Sequence, residues 1–200
     1  MNATLEIPAF PPRSLVLDPP LSDEEFERMS IRAELALVER AADGAIVVSA
    51  LGEAHRSWAN VEVNGQLGNW SKHQQGGRVL MHCGFFLDDG SCMSAPVAYV
   101  TASQVQGLSR EERKHFLRLA PAFVIELRSE SDRLGAAMEK MESWIANGVQ
   151  LGWLIDPEAK QVHIYSQGAA PRVESDAAVS GSGPVQGFVL DLEEVWRCYE

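Results

Sequence analysis

Phe123-Val124-Ile125-Glu126-Leu127-Arg128 is an almost unbroken apolar run interrupted by one carboxylate, the pattern of a strand covered on both faces. Beyond it Leu134, Met138, Met141 and Ile145 recur at helical spacing and stop at Asn147-Gly148, a C-terminal cap pair, with Ser131 and Asp132 placed to cap the start. Residues 150–155 predict a second buried strand. The Asp156-Pro157-Glu158 turn returns it to residues 161–165, where Val162 and Ile164 face one way.

Upstream the pattern is more broken. Five of the ten prolines fall within residues 1–20, which predicts an extended arm. Ser22 followed by Glu25 predicts a capped helix of about two turns, with Phe26 and Met29 turned inward. Residues 34–39 and 45–49 flank Asp43-Gly44 and predict a β-hairpin. Residues 52–72 predict a long helix packing through Val61, Leu67 and Trp70, although Val63, Asn64 and Gly65 are poor helix formers. Residues 78–87 and 91–100 predict two strands of a second hairpin around Asp88-Asp89-Gly90. Ser109-Arg110-Glu111-Glu112 predicts a helix start. Near the C-terminus a Gly/Ser/Pro-rich loop at 180–187 precedes a short strand at 188–190 and a helical turn at 191–196.

With 200 residues and 46% apolar composition, the chain predicts one domain at 21–200 behind the 1–20 arm. The net charge of −11 weighs against polyanion binding except at a locally basic groove. Cys83, Cys92 and Cys198 have neither zinc spacing nor the density of a disulfide framework. No apolar run reaches the roughly 18 residues of a membrane span, and the expectation is a cytoplasmic protein.

Glu126 is the candidate for chemistry. A carboxylate in a core strand needs a cation, hydrogen-bond donors or a metal. An ion pair with Arg128 or Arg133 and a role as metal ligand both satisfy that requirement. Lys140, at the edge of the buried helical stripe, can either reach Glu126 or sit solvated on the helix flank. Asp88 and Asp89 read as turn formers. The glycines at 181 and 183 lack the strand-to-helix context of a phosphate loop.

Several blocks recur together: residues 123–134 (FVIELRSESDRL), Lys140-Met141, Ala146-Asn147-Gly148-Val149 and residues 153–158 (WLIDPE). Upstream stand Val38-Glu39-Arg40, Asn60-Val61-Glu62, residues 66–70 (QLGNW) and Gly84-Phe85, and downstream residues 187–192 (GFVLDL). Over about residues 20–197 the chain resembles the Uma family of restriction endonucleases, within the PD-(D/E)XK nuclease superfamily. The resemblance implies an α/β (α+β) fold, a mixed sheet flanked by helices and β-hairpins, and DNA cleavage with Mg²⁺ or Mn²⁺. It also implies roles: Glu126 and Glu39 as catalytic and metal-binding carboxylates, Lys140 as the catalytic lysine displaced onto the following helix, and Arg128 and Ser129 in support. Duplex cutting by analogy implies a homodimer.

One position departs from the family. Where its motif reads Ser-Pro-Asp-x-Ala, this chain reads Ser94-Ala95-Pro96-Val97-Ala98, so Pro96 stands at the metal-binding aspartate. Two functions therefore follow from the resemblance: a metal-dependent DNA endonuclease, weakened at its metal site, or a catalytically inactive nuclease fold serving as a binding or assembly module.

Overall fold

A computed structural model describes residues 13–33, 36–50, 52–74, 76–129 and 132–200. Most of the arm at 1–20, with residues 34 and 35 of the first hairpin and Ser131, lies outside the described residues. Within the arm, β1 (Arg13–Leu15) adds an edge strand.

The site rests on one unit. β8 (Phe123–Leu127), α4 (Leu134–Ala146) and β9 (Leu151–Asp156) are the expected strand, helix and strand, and they join as a crossover, with β8 and β9 parallel from Phe123↔Leu151 to Leu127↔Ile155. β10 (Gln161–Ser166) returns antiparallel to β9, and β11 (Arg172–Glu174) closes that edge. On the other side stand β7 (Val97–Val100) and β4 (Arg78–Leu80), giving a six-stranded mixed sheet in the order β11-β10-β9-β8-β7-β4. A second, five-stranded sheet, β1-β3-β2-β6-β5, is built from β2 (Ala36–Arg40), β3 (Ile46–Ala50), β5 (Gly84–Phe86) and β6 (Cys92–Ser94) beside β1. β12 (Ala178–Ser180) pairs with β13 (Val189–Asp191).

Alternation along β8 decides which side chains meet which helix. Phe123, Ile125 and Leu127 face one core shared with α2 (Ala54–Ser71) and α5 (Leu192–Arg197). Val124 faces a second core, under Met141 and Trp144 of α4. Glu126 follows Val124 on that α4 side. A third cluster packs Phe26 of α1 (Asp23–Arg32) on Val38, Ile46, Val48, Phe86 and Cys92 of the smaller sheet.

Several expectations are corrected. The strand expected at 78–87 is two strands in different sheets, broken where His82 adopts a left-handed backbone with φ of 49°. The strand at 91–100 is likewise divided. The chain leaves the five-stranded sheet at Ser94 and enters the six-stranded sheet at Val97, with Pro96, which has no N–H for a ladder, at the crossing. The hairpin that remains is β5–β6. In α2 the buried face carries Ala59, Val63 and Leu67, while Val61 is exposed. Asp132 does not cap α4. Its carboxylate instead accepts from the Ser129 backbone N–H at 3.1 Å, and Arg133 stands at the N-cap without a side-chain cap bond. Ser109 opens only a single 3₁₀ turn at Glu112–Lys114, and α3 (Ala102–Gly107) starts at an unforeseen Thr101–Gln104 capping box.

Candidate functional site

The crossing between the two sheets lies against α4. At its centre is the ammonium of Lys140. Nζ donates to Glu126 Oε1 at 3.0 Å, Glu39 Oε1 at 3.1 Å and the Ser94 carbonyl at 3.0 Å. An ammonium has three N–H bonds, so all three are engaged.

Each acceptor arrives from a different element. Glu126 is the penultimate residue of the fully buried β8 and is 7% exposed. Its Oε1 also accepts from the Trp144 indole N–H at 3.0 Å. Lys140 and Trp144 are one helical turn apart on α4, so a single face of that helix holds the carboxylate from two sides. Glu39 lies on β2, where Val38 points into the third core and Glu39 to the opposite face. Its Oε1 accepts from the Ser94 backbone N–H at 2.7 Å. Ser94 thus gives its N–H to Glu39 and its carbonyl to Lys140, which pins the end of β6 to both groups. The Ser94 hydroxyl is buried with no hydrogen-bond partner among the described residues.

Burial dominates at Glu126: desolvation, reinforced by the charge of Glu39, lifts its pKa above the ordinary carboxylate value despite the nearby Lys140. Burial would depress Lys140, but the two carboxylates more than offset it, and its pKa rises. The ammonium therefore stays charged at neutral pH. His82 borders the same crossing, its backbone N–H donating to the Ala95 carbonyl at 3.2 Å. Desolvation and the charges of Arg56 and Lys140 lower its pKa, which keeps the imidazole neutral at pH 7.

The structure thus brings together Glu39, Glu126 and Lys140. It directs Arg128 elsewhere: the guanidinium donates to both oxygens of the 2%-exposed Asp156 at 2.9 and 3.0 Å, and pairs with Glu158 at 2.9 Å. Arg128 buttresses the β9 end and makes no ion pair with Glu126, so that alternative gives way to Lys140. Ser129 is buried where β8 leaves the sheet. Sequence reasoning missed Trp144 as the donor to Glu126 and Ser94 as a backbone partner. The first had a signal, since Trp144 stands four residues after Lys140.

Among the described residues no three His, Cys, Asp or Glu side chains cluster as a metal set. No helix there is long and apolar enough to cross a membrane.

Comparison with known proteins agrees with the architecture. The crystal structure of a nuclease of the DUF820 family from Anabaena variabilis ATCC 29413, itself described as putative, superposes with a TM-score of 0.73 at 18% identity. The alignment covers 90% of this chain and 100% of that one. At that identity the likeness establishes the fold. No curated protein matches the chain. The Uma2 family, described as "Putative restriction endonuclease", matches residues 23–193. With that match spanning most of its length, the chain belongs to the Uma2 family.

Proposed function

We propose that this chain is a DNA endonuclease dependent on Mg²⁺ or Mn²⁺, with weakened metal affinity, and that Glu39, Glu126 and Lys140 carry the reaction. The supporting observation is the convergence of two carboxylate oxygens and one carbonyl oxygen on a single cationic centre at 3.0–3.1 Å. Hard divalent cations take oxygen donors of this kind, so the donor chemistry fits. Glu39, Glu126 and the Ser94 carbonyl would hold the ion. Bound there, it would lower the pKa of a water and offset charge on the attacked phosphate.

The chain's own groups have definable tasks. Trp144 fixes the orientation of Glu126 by donating to Oε1. Lys140 supplies a permanent positive charge that can meet a phosphate oxygen. With Arg56 and His82 beside it, the crossing gathers nitrogen groups in an otherwise acidic protein. This activity belongs to one domain at 21–200, in a cytoplasmic homodimer whose two sites address opposite strands.

Pro96 favours a second reading. It offers no side-chain ligand where the family motif has aspartate, and a site with one carboxylate fewer holds Mg²⁺ less well. On that reading the fold persists as a binding or assembly module without cleavage. Incubation of supercoiled plasmid with Mn²⁺ separates the two. Nicking by the parent that disappears in Glu126→Ala supports the nuclease. An inert parent whose Ala95→Pro/Pro96→Asp variant cleaves supports the silent module. Parent cleavage that survives Glu126→Ala refutes the assigned site.

A further inference from the structure

We infer that Lys140 is the resident counter-ion of this pocket, and that a divalent cation loads only by displacing it. This rests on the metal-dependent reading above and specifies how that site is regulated. Nζ stands at the point where Glu126 Oε1, Glu39 Oε1 and the Ser94 carbonyl converge, and all three of its hydrogens are engaged there. The N···O separations are 3.0–3.1 Å, whereas Mg²⁺ binds oxygen at about 2.1 Å. The same oxygens cannot close on a metal while the ammonium remains between them. Ser94 also carries a buried hydroxyl with no hydrogen-bond partner among the described residues, a further oxygen beside the carbonyl already in use.

Two consequences follow for the reaction. The ion pairs of Lys140 oppose metal loading, because breaking them leaves an ammonium without acceptors. Once displaced, the same ammonium is released from Glu39 and Glu126 and becomes free to meet a phosphate. A polyanion that draws Lys140 outward therefore promotes metal binding, and metal binding in turn frees the lysine for the polyanion, since such coupling is reciprocal.

The test is calorimetric titration of the full chain with MnCl₂, together with thermal unfolding with and without Mn²⁺. Lys140→Met keeps the aliphatic stem and removes the competing charge, and Lys72→Met, on an exposed lysine, controls for net charge. Lys140→Met should bind one Mn²⁺ at least about tenfold more tightly than the parent and the control, a difference of about 1.4 kcal/mol. Its unfolding midpoint should rise more with Mn²⁺ than the parent's. Adding Glu126→Gln to Lys140→Met should abolish both gains. Lys140→Gln serves in the same way should the methionine variant not fold. A parent that binds Mn²⁺ as tightly as these variants overturns the inference, as does a variant that gains no affinity. Plasmid cleavage is scored separately. Tighter Mn²⁺ binding by Lys140→Met beside an inert parent upholds the counter-ion and rejects the nuclease, whereas cleavage by a parent that binds Mn²⁺ as tightly as Lys140→Met does the reverse.

Discussion

Removing the cation from the Glu39–Lys140–Glu126 cluster should cost far more than removing one of its anions. In Lys140→Met, Glu126 at 7% exposure keeps only the Trp144 N–H as a donor and faces Glu39 with no positive charge between them. Leaving one partner of a buried pair uncompensated costs about 3–5 kcal/mol. In Glu126→Gln the shape is kept, the amide oxygen still accepts a bond, and Lys140 retains Glu39 and the Ser94 carbonyl. The raised pKa of Glu126 indicates that desolvation of its charge is not fully offset in the native protein, so neutralising it should leave stability within about 1 kcal/mol of the parent.

The pH dependence fixes the sign. A carboxyl whose folded pKa lies above its unfolded value binds more protons when folded, so its charge erodes stability as pH rises through that interval. Loss of Lys140 removes the main influence lowering the Glu126 pKa and widens the interval upward from the ordinary 4.5. The Lys140→Met penalty should therefore be largest at pH 7 and shrink by about 1–3 kcal/mol at pH 5, since each full pH unit within the interval is worth up to about 1.4 kcal/mol. Urea unfolding at both pH values, followed by tryptophan fluorescence, measures it. A Glu126→Gln loss equal to that of Lys140→Met, or a Lys140→Met loss identical at pH 5 and 7, would refute the reasoning.

Trp144→Phe should keep the edge contact with Phe85 while deleting the N–H that holds Glu126, and lower the urea-derived stability by about 1–3 kcal/mol. Asp156→Ala removes both Arg128 bonds and the acceptor for the Glu158 and Ala159 backbone N–H groups. A loss of about 3 kcal/mol, seen as a fall of roughly 6–12 °C in unfolding midpoint, is expected. Burial pushes the Cys92 thiol up to about 12, so the unfolded chain ionises first, above pH 9.0, and stability falls as pH rises toward 12. Between pH 8 and 10 the parent should lose about 1.4 kcal/mol more than Cys92→Ala, and equal slopes in urea unfolding would contradict this.

The elements β8, α4 and β9 were legible because each carries one dominant signal, a strand apolar on both faces or a helix with one stripe and an Asn-Gly stop, whereas the parallel pairing of the two strands has no such local mark. The region from 78 to 100 was not, because strand patterning continues through both sheets. An apolar residue in β6 and one in β7 are buried equally well, and nothing in period-two alternation marks a change of sheet. Pro96 inside the run was the available sign of interruption. In α2 the apolar positions surround the helix, so the pattern could not choose between Val61, which is exposed, and Val63, which is buried. Of the site residues, Glu126 was visible as a carboxylate out of place in a core strand. Glu39 stands in an ordinary hairpin strand and was indicated only by the family resemblance.

Pro96 and the captured lysine act on one balance. Glu39 and Glu126 present two carboxylates to one ammonium, a net charge of −1 when both are ionised, which the raised pKa of Glu126 draws toward neutrality. A further carboxylate at the motif position would make the pocket more negative than one lysine can offset and would favour a divalent ion over the ammonium, because the attraction to a cation scales with its charge. Its absence shifts the preference toward the internal cation. The acidity of the whole protein does not reverse this: the field of a chain with net charge −11 attracts metal ions but also repels DNA, the polyanion that would draw Lys140 away. Restoring the carboxylate through Pro96→Asp and deleting the competing charge through Lys140→Met should therefore both raise Mn²⁺ affinity, but only the first leaves an ammonium in place to meet the phosphate.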